Sequence, residues 1–177
     1  MLMKKLRTLF GGKAAHPQER RIEGPDGQIT LKTAVVEPVP QQIVPLGSPE
    51  LQWIAESAAQ AARFLAAYQP GAAPSLQSYD LAFGRWQADK GLRFTDQDVV
   101  DMLGAWLGNC LAGEFDMEWV FVADEYGTDL AVRSRTDEIL SFPFASVAKR
   151  IENNQHDFMV GVRYAVQDMI SRGAKKR

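Results

Sequence analysis

The sequence predicts an α+β domain with segregated elements. Two observations carry this. Apolar residues recur at three- and four-residue steps through three stretches before residue 112, then switch to alternation from Met117 onward. Two more helix-period stretches follow Pro143, so a small sheet sits in sequence between two helical groups. The expected product is three N-terminal helices, a three-stranded antiparallel meander and two C-terminal helices, with the helices packed on the sheet.

Residues 1–47 read as an arm. Gly11-Gly12, Gly24-Pro25-Asp26-Gly27, Pro38, Pro40 and Pro45 break any long helix, and residues 1–25 are expected to be mobile. Ile29 to Val36 has strand composition and is expected at a sheet edge or along the helices. The domain proper is expected over 48–172, with 173–177 a basic tail.

Ser48 is the expected N-cap of the first helix, with Pro49 at its first position and Leu51, Ile54, Ala58, Ala61, Leu65 and Tyr68 on its core face. The second helix runs from Ser75 to about Asp89, with Leu76, Tyr79, Phe83 and Trp86 sharing a face. Thr95 opens the third, and Asp98 completes a capping box. Val99, Leu103, Trp106 and Cys110 form its main stripe. Gly104 and Gly108 lie one turn apart, and glycine costs about 1 kcal/mol in a helix interior, so both predict a close neighbour.

Met117 to Ala123 is the strongest strand, apolar on both faces. Asp124 to Gly127 is the expected turn, Thr128 to Arg133 the returning strand, and Glu138 to Phe142 the third. A short helix from Phe144 exits at Asn153-Asn154, and Asp157 is the expected cap of the last helix.

The stretch from Met117 through Asp124-Glu125-Tyr126-Gly127 to Val132, then Ile139 to Pro143 and Val147 to Glu152, resembles a bacterial family known as domain of unknown function 3806. The runs Tyr79 to Trp86 and Leu103 to Gly108 resemble it too, and the similarity spans about residues 50–170. The resemblance implies a soluble bacterial domain with no established activity and transfers no catalytic residue.

Charge is the most unusual feature. Residues 1–21 carry a net +5, residues 172–177 a net +4, and the body between them −11. A nucleic-acid fold concentrates positive charge on its body, so nucleic-acid binding is not expected. From Phe94 to Val132 there are nine acids and no Lys or Arg. Asp116, Glu118, Asp124, Glu125, Tyr126 and Asp129 therefore form a candidate surface for a basic protein partner; the alternative is a solvated face balanced by nearby cations. Arg133, Arg135, Lys149 and Arg150 form a candidate anion-binding or salt-bridge cluster.

Catalytic and cofactor chemistry is thin. His16 and His156 are far apart and one cysteine makes no zinc motif, so no metal and no cofactor are expected. Cys110 falls on an apolar stripe and reads as a small hydrophobe. Glu118 and Asp124, at even spacing on a strand, are the one carboxylate pair a hydrolase could use. No apolar run is long enough to span a membrane, no signal peptide is evident, and a weak peripheral contact through residues 1–10 is the most that the start offers. A cytoplasmic, non-catalytic interaction module, immunity- or adaptor-like, is the leading expectation. The alternative is a sensor or enzyme with a pocket lined by Trp86, Trp106, Trp119 and Tyr126.

Overall fold

The longest apolar stripe makes the longest helix. In the computed structural model α1 spans Ser48–Tyr68 and buries Ile54, Ala61, Phe64, Leu65 and Tyr68. The described residues are 17–24, 27–34, 41–89, 93–124, 127–136 and 139–174. The N-cap of α1 is Gly47 rather than Ser48, because the Gly47 carbonyl already accepts the Leu51 N–H at 3.1 Å. Leu51, expected on the core face, is exposed.

Helix α2 spans Leu76–Ala88 and α3 spans Asp96–Phe115. Both start on a reciprocal box. Ser75 Oγ accepts from Ser78 N at 3.1 Å, and Ser78 Oγ accepts from Ser75 N at 2.9 Å. Thr95 and Asp98 exchange the same pair at 3.2 and 2.9 Å. Each box satisfies donors that helical geometry leaves open. Tyr79, Phe83 and Trp86 of α2 and Val99, Leu103, Leu107 and Leu111 of α3 are buried together. Trp106 and Cys110, expected on the main stripe of α3, are half-buried at its margin.

The two glycines of α3 receive aromatic rings. A Cβ on Gly104 would lie 2.5 Å from Phe144 Cδ1 and 2.9 Å from Phe144 Cα, and one on Gly108 would run into the Trp119 ring. Asp116 then turns the chain with φ 49° into β4, Met117–Asp124. Strand β5 is Gly127–Ser134, and β6 is Leu140–Ser141, paired antiparallel through Val132–Ser141 and Arg133–Leu140.

The sheet has a fourth member. Gln42–Pro45 forms β3, beside β4, giving the order β3-β4-β5-β6. It falls in the arm that Pro38, Pro40 and Pro45 break, but an edge strand tolerates proline because one of its sides makes no ladder bonds. The predicted third strand shrinks to two residues because Pro143 opens α4, Pro143–Glu152, and proline is suited to a first helical turn. Helix α5 is Met159–Ala174.

Helix α3 packs against α1 and α4, and α2 against α1 and α5. The architecture is therefore α+β with five helices among the described residues, as the sequence predicts in outline. The chain divides into two compact units, residues 1–43 with 122–128, and residues 44–121 with 129–177. In the first unit β1, Pro17–Gly24, and β2, Gly27–Ala34, form their own antiparallel hairpin in full register from Pro17–Ala34 to Gly24–Gly27. The strand expected over 29–36 thus pairs with its sequence neighbour and is not a strand of the four-stranded sheet.

Candidate functional site

The junction between α4 and α5 is the most elaborately built part of the second unit. Helix α4 ends where Asn154 takes φ 48°, and Gln155 N closes back on the Arg150 carbonyl at 2.9 Å. Asp157 takes φ 59°. Non-glycine residues seldom adopt this left-handed region, so the four-residue segment 154–157 is bracketed by two strained positions. Gln87, on α2, donates its Nε2 to the same Arg150 carbonyl at 3.3 Å.

Asp80 closes the junction from across the fold. It lies inside α2, 4% exposed, and its carboxylate accepts three backbone N–H bonds at the start of α5. Phe158 N and Met159 N donate to Oδ1 at 3.0 and 2.9 Å, and Val160 N to Oδ2 at 3.3 Å. The expected cap, Asp157, is therefore not the cap. Its left-handed backbone carries it outward, where its Oδ2 stands 3.7 Å from His156 Nε2 with both side chains more than half exposed. Burial pushes the Asp80 carboxyl above the ordinary carboxylate range, and the three N–H donors pull the other way.

Above this cap the surface opens into a cleft of about 600 Å³. Phe158, Val162 and Ala165 supply its apolar part, Gly161 leaves room beside them, and Arg150 and the 154–157 segment supply its polar part. Phe158 is itself fixed, edge-on to Phe83 at 5.3 Å, with the Arg150 guanidinium 5.5 Å over its ring. Gly84 matters here because His156 lies 3.7 Å from where its Cβ would be.

The expected acidic surface is largely engaged in pairs. Glu118 accepts from Arg133 Nη2 at 2.6 Å, and Asp116 stands 3.5 Å from Arg135 Nε. Asp129 Oδ1 accepts from the N–H of Leu130 at 2.7 Å. Asp124, half-buried, also has a partner, and it ends β4 six residues from Glu118. Glu125 and Tyr126 lie outside the described residues. Glu114 adds a fork to Arg163, whose Nε reaches its two oxygens at 3.0 and 3.1 Å.

The basic cluster divides by role. Arg133 and Arg135 hold carboxylates on β4 and at the end of α3, Lys149 is exposed on α4, and Arg150 lines the cleft. The three tryptophans pack on different rings: Trp86 on Phe64 and Phe83, Trp106 on Tyr79, and Trp119 on Phe144. Trp86 Nε1 donates to the Phe94 carbonyl and Trp119 Nε1 to Asn109. None of the three lines the cleft. Cys110 is half-buried, and burial pushes its thiol up to about 11. No group of three His, Cys, Asp or Glu side chains able to hold a metal occurs among the described residues.

Residues 84–160 match the family described as domain of unknown function (DUF3806). Over these residues the chain is similar to the DUF3806 family. The matched span is narrower than the 50–170 that the sequence resemblance covers. It begins at Gly84, the residue under His156, takes in α3, β4–β6 and α4, and ends at Val160 in the first turn of α5. The DUF3806 span thus contains Arg150, the 154–157 segment and all three N–H donors, while Asp80 lies four residues before it. No curated protein and no solved structure matches the chain.

Sequence reasoning passed over Asp80. The signal was present: Asp80 follows Leu76 by four residues and precedes Phe83 by three, so a charge stood inside the apolar arc of α2. A carboxylate in that position needs a buried partner.

Proposed function

We propose that the protein is a non-catalytic interaction module that docks a basic protein partner. The observation that carries this is a solvent-facing acid at each end of α3, Asp96 and Asp116. Tyr79 is pushed up to about 12 and Cys110 up to about 11, with burial the largest cause in both. Burial without an activating cation holds a thiol or phenol in its neutral, unreactive form, opposite to what a nucleophile needs.

The basic-partner part rests on the acids that face solvent. Asp96 is exposed at the start of α3, and the Asp116 side chain, 83% exposed at the other end of α3, has only a long contact to the exposed Arg135. Exposed pairs of this kind exchange partners at little cost, roughly 0–1 kcal/mol. Affinity capture at low and moderate salt tests the reading. A protein retained by the wild-type chain and lost by Asp96→Lys/Asp116→Lys, more readily at higher salt, is the expected result. Capture indifferent to both charge reversal and salt overturns it.

A further inference from the structure

Arg63, Arg85, Arg93 and Arg150 hold no carboxylate among the described residues, and of these only Arg150 lines the cleft. Arg133, Arg135, Arg163 and Arg172 each hold a carboxylate, on Glu118, Asp116, Glu114 and Asp168. Arg150 forms no ion pair with any described residue, although it lines a cleft in which a ligand could sit beside it. Its guanidinium carbon stands 5.5 Å over the Phe158 ring. No described residue takes its N–H groups, and a guanidinium's N–H edge matches a carboxylate in bidentate geometry.

The surroundings hold this cation in place without neutralising it. The Arg150 backbone is tied by Gln87 Nε2 and Gln155 N, both to its carbonyl. The acid in the lining, Asp157, is turned toward His156. The start of α5 adds little to the binding of an anion, because Asp80 already takes the N–H groups of Phe158, Met159 and Val160. The recognition element is therefore the guanidinium, beside an apolar wall of Phe158, Val162 and Ala165. That combination selects a ligand with a carboxylate at one end and a flat or aliphatic body.

We propose that the α4–α5 cleft is a binding site for a small organic carboxylate, gripped by the Arg150 guanidinium with its body against Phe158, Val162 and Ala165. The ligand is either a free metabolite or the C-terminal carboxylate of a peptide, and both present the same chemistry to Arg150. The site is separate from the acidic ends of α3 and does not depend on a basic partner.

Benzoate is the probe, followed by amide NMR titration of the full chain. Benzoate is expected to shift the N–H resonances of Gln155, His156 and Gly161 saturably, with a dissociation constant of about 1 mM, which is what a ligand of this size with one charged contact supports. Benzamide, the same body without charge, is expected to bind at least about tenfold more weakly, since a charge-assisted hydrogen bond contributes about 1.5 kcal/mol or more. Arg150→Gln is expected to abolish saturation, and Arg150→Lys to recover it only in part. A short peptide with a free C-terminus and its C-terminally amidated form separate the two sources: tighter binding of the free form than of benzoate assigns a peptide end, and weaker binding a metabolite. Equal shifts with benzoate and benzamide overturn the proposal, as do benzoate shifts unchanged in a folded Arg150→Gln variant, or tighter binding of inorganic phosphate than of benzoate. The benzoate–benzamide contrast is read in the wild-type chain, so it decides the question even where a variant does not fold.

Discussion

Two regions of this molecule use carboxylates to hold elements together, and they do it in opposite ways. Where α3 meets β4 and β5, Glu118 and Asp116 meet Arg133 and Arg135 at the surface, with side chains between about a third and four-fifths exposed. Where α2 meets α5, Asp80 is buried and meets no cation among the described residues, only three backbone N–H groups. Water competes for the first kind of contact and screens it, so it contributes little. It cannot replace the partners of the second kind, so their loss is costly. The acids that dominate the sequence by number are therefore the minor structural contributors, and a single acid outside the run is the major one.

The comparison breaks most visibly at Asp80. Asp80→Ala is expected to lower the unfolding free energy by about 3 kcal/mol, because it strands several N–H groups at a helix start that α2 covers. Asp80→Asn keeps one acceptor oxygen and is expected to cost about half as much; chemical denaturation of both variants measures this. Because burial raises the Asp80 carboxyl, the folded state holds its proton more tightly than the unfolded state. Its contribution is then fully present below the ordinary carboxylate pKa and declines as pH rises through the raised value. The stability gap between wild type and Asp80→Asn is accordingly expected to narrow from about pH 3 to pH 7.

Packing at α3 supplies the next largest effect. Gly104→Ala is expected to lose about 2 kcal/mol, since the new methyl meets the Phe144 ring and its Cα, and a backbone cannot swing aside as a side-chain tip can. Gly113→Ala, in the same helix with nothing within 4 Å of its Cβ position, is expected to gain up to about 1 kcal/mol from helix propensity alone. Thermal unfolding of the pair separates contact from propensity.

The surface pairs come last. A double-mutant cycle on Glu118 and Arg133 is expected to give a coupling below about 1 kcal/mol that shrinks further in high salt. Coupling well above that would place this pair with Asp80 rather than with the solvated acids. Cys110 is expected to alkylate slowly at pH 7 and to accelerate only as pH approaches its raised value of about 11, a rate profile that iodoacetamide labelling reads directly.

Much of this architecture was legible from local pattern. The Ser75 and Thr95 starts, the Asn153 exit, the one-turn spacing of Gly104 and Gly108 and the period change at Met117 are all set by residues within a turn or two of one another. The features that escaped depend on distant partners. Strand β3 needs β4 to exist as a strand, and the hairpin of β1 and β2 draws on a breaker sequence, Gly24 to Gly27, that reads equally as a loop. The cap of α5 comes from 78 positions away, whereas Asp157, the local candidate, spends its backbone on a left-handed turn. The same limit applies to the cleft: Arg150 and Ala165 lie on successive helices, and only the turn at 154–157 makes them neighbours.

Native-state hydrogen exchange at Phe158, Met159 and Val160 tests the central claim most directly. Amides at the first turn of a helix ordinarily have no partner and exchange fast. The account predicts that these three exchange slowly in the wild-type chain, together with the buried core of α2, and that Asp80→Asn selectively accelerates them while Val99 and Leu103 in α3 stay protected. Fast exchange at all three in the wild type, or slow exchange unchanged in Asp80→Asn, would contradict a cap supplied from α2.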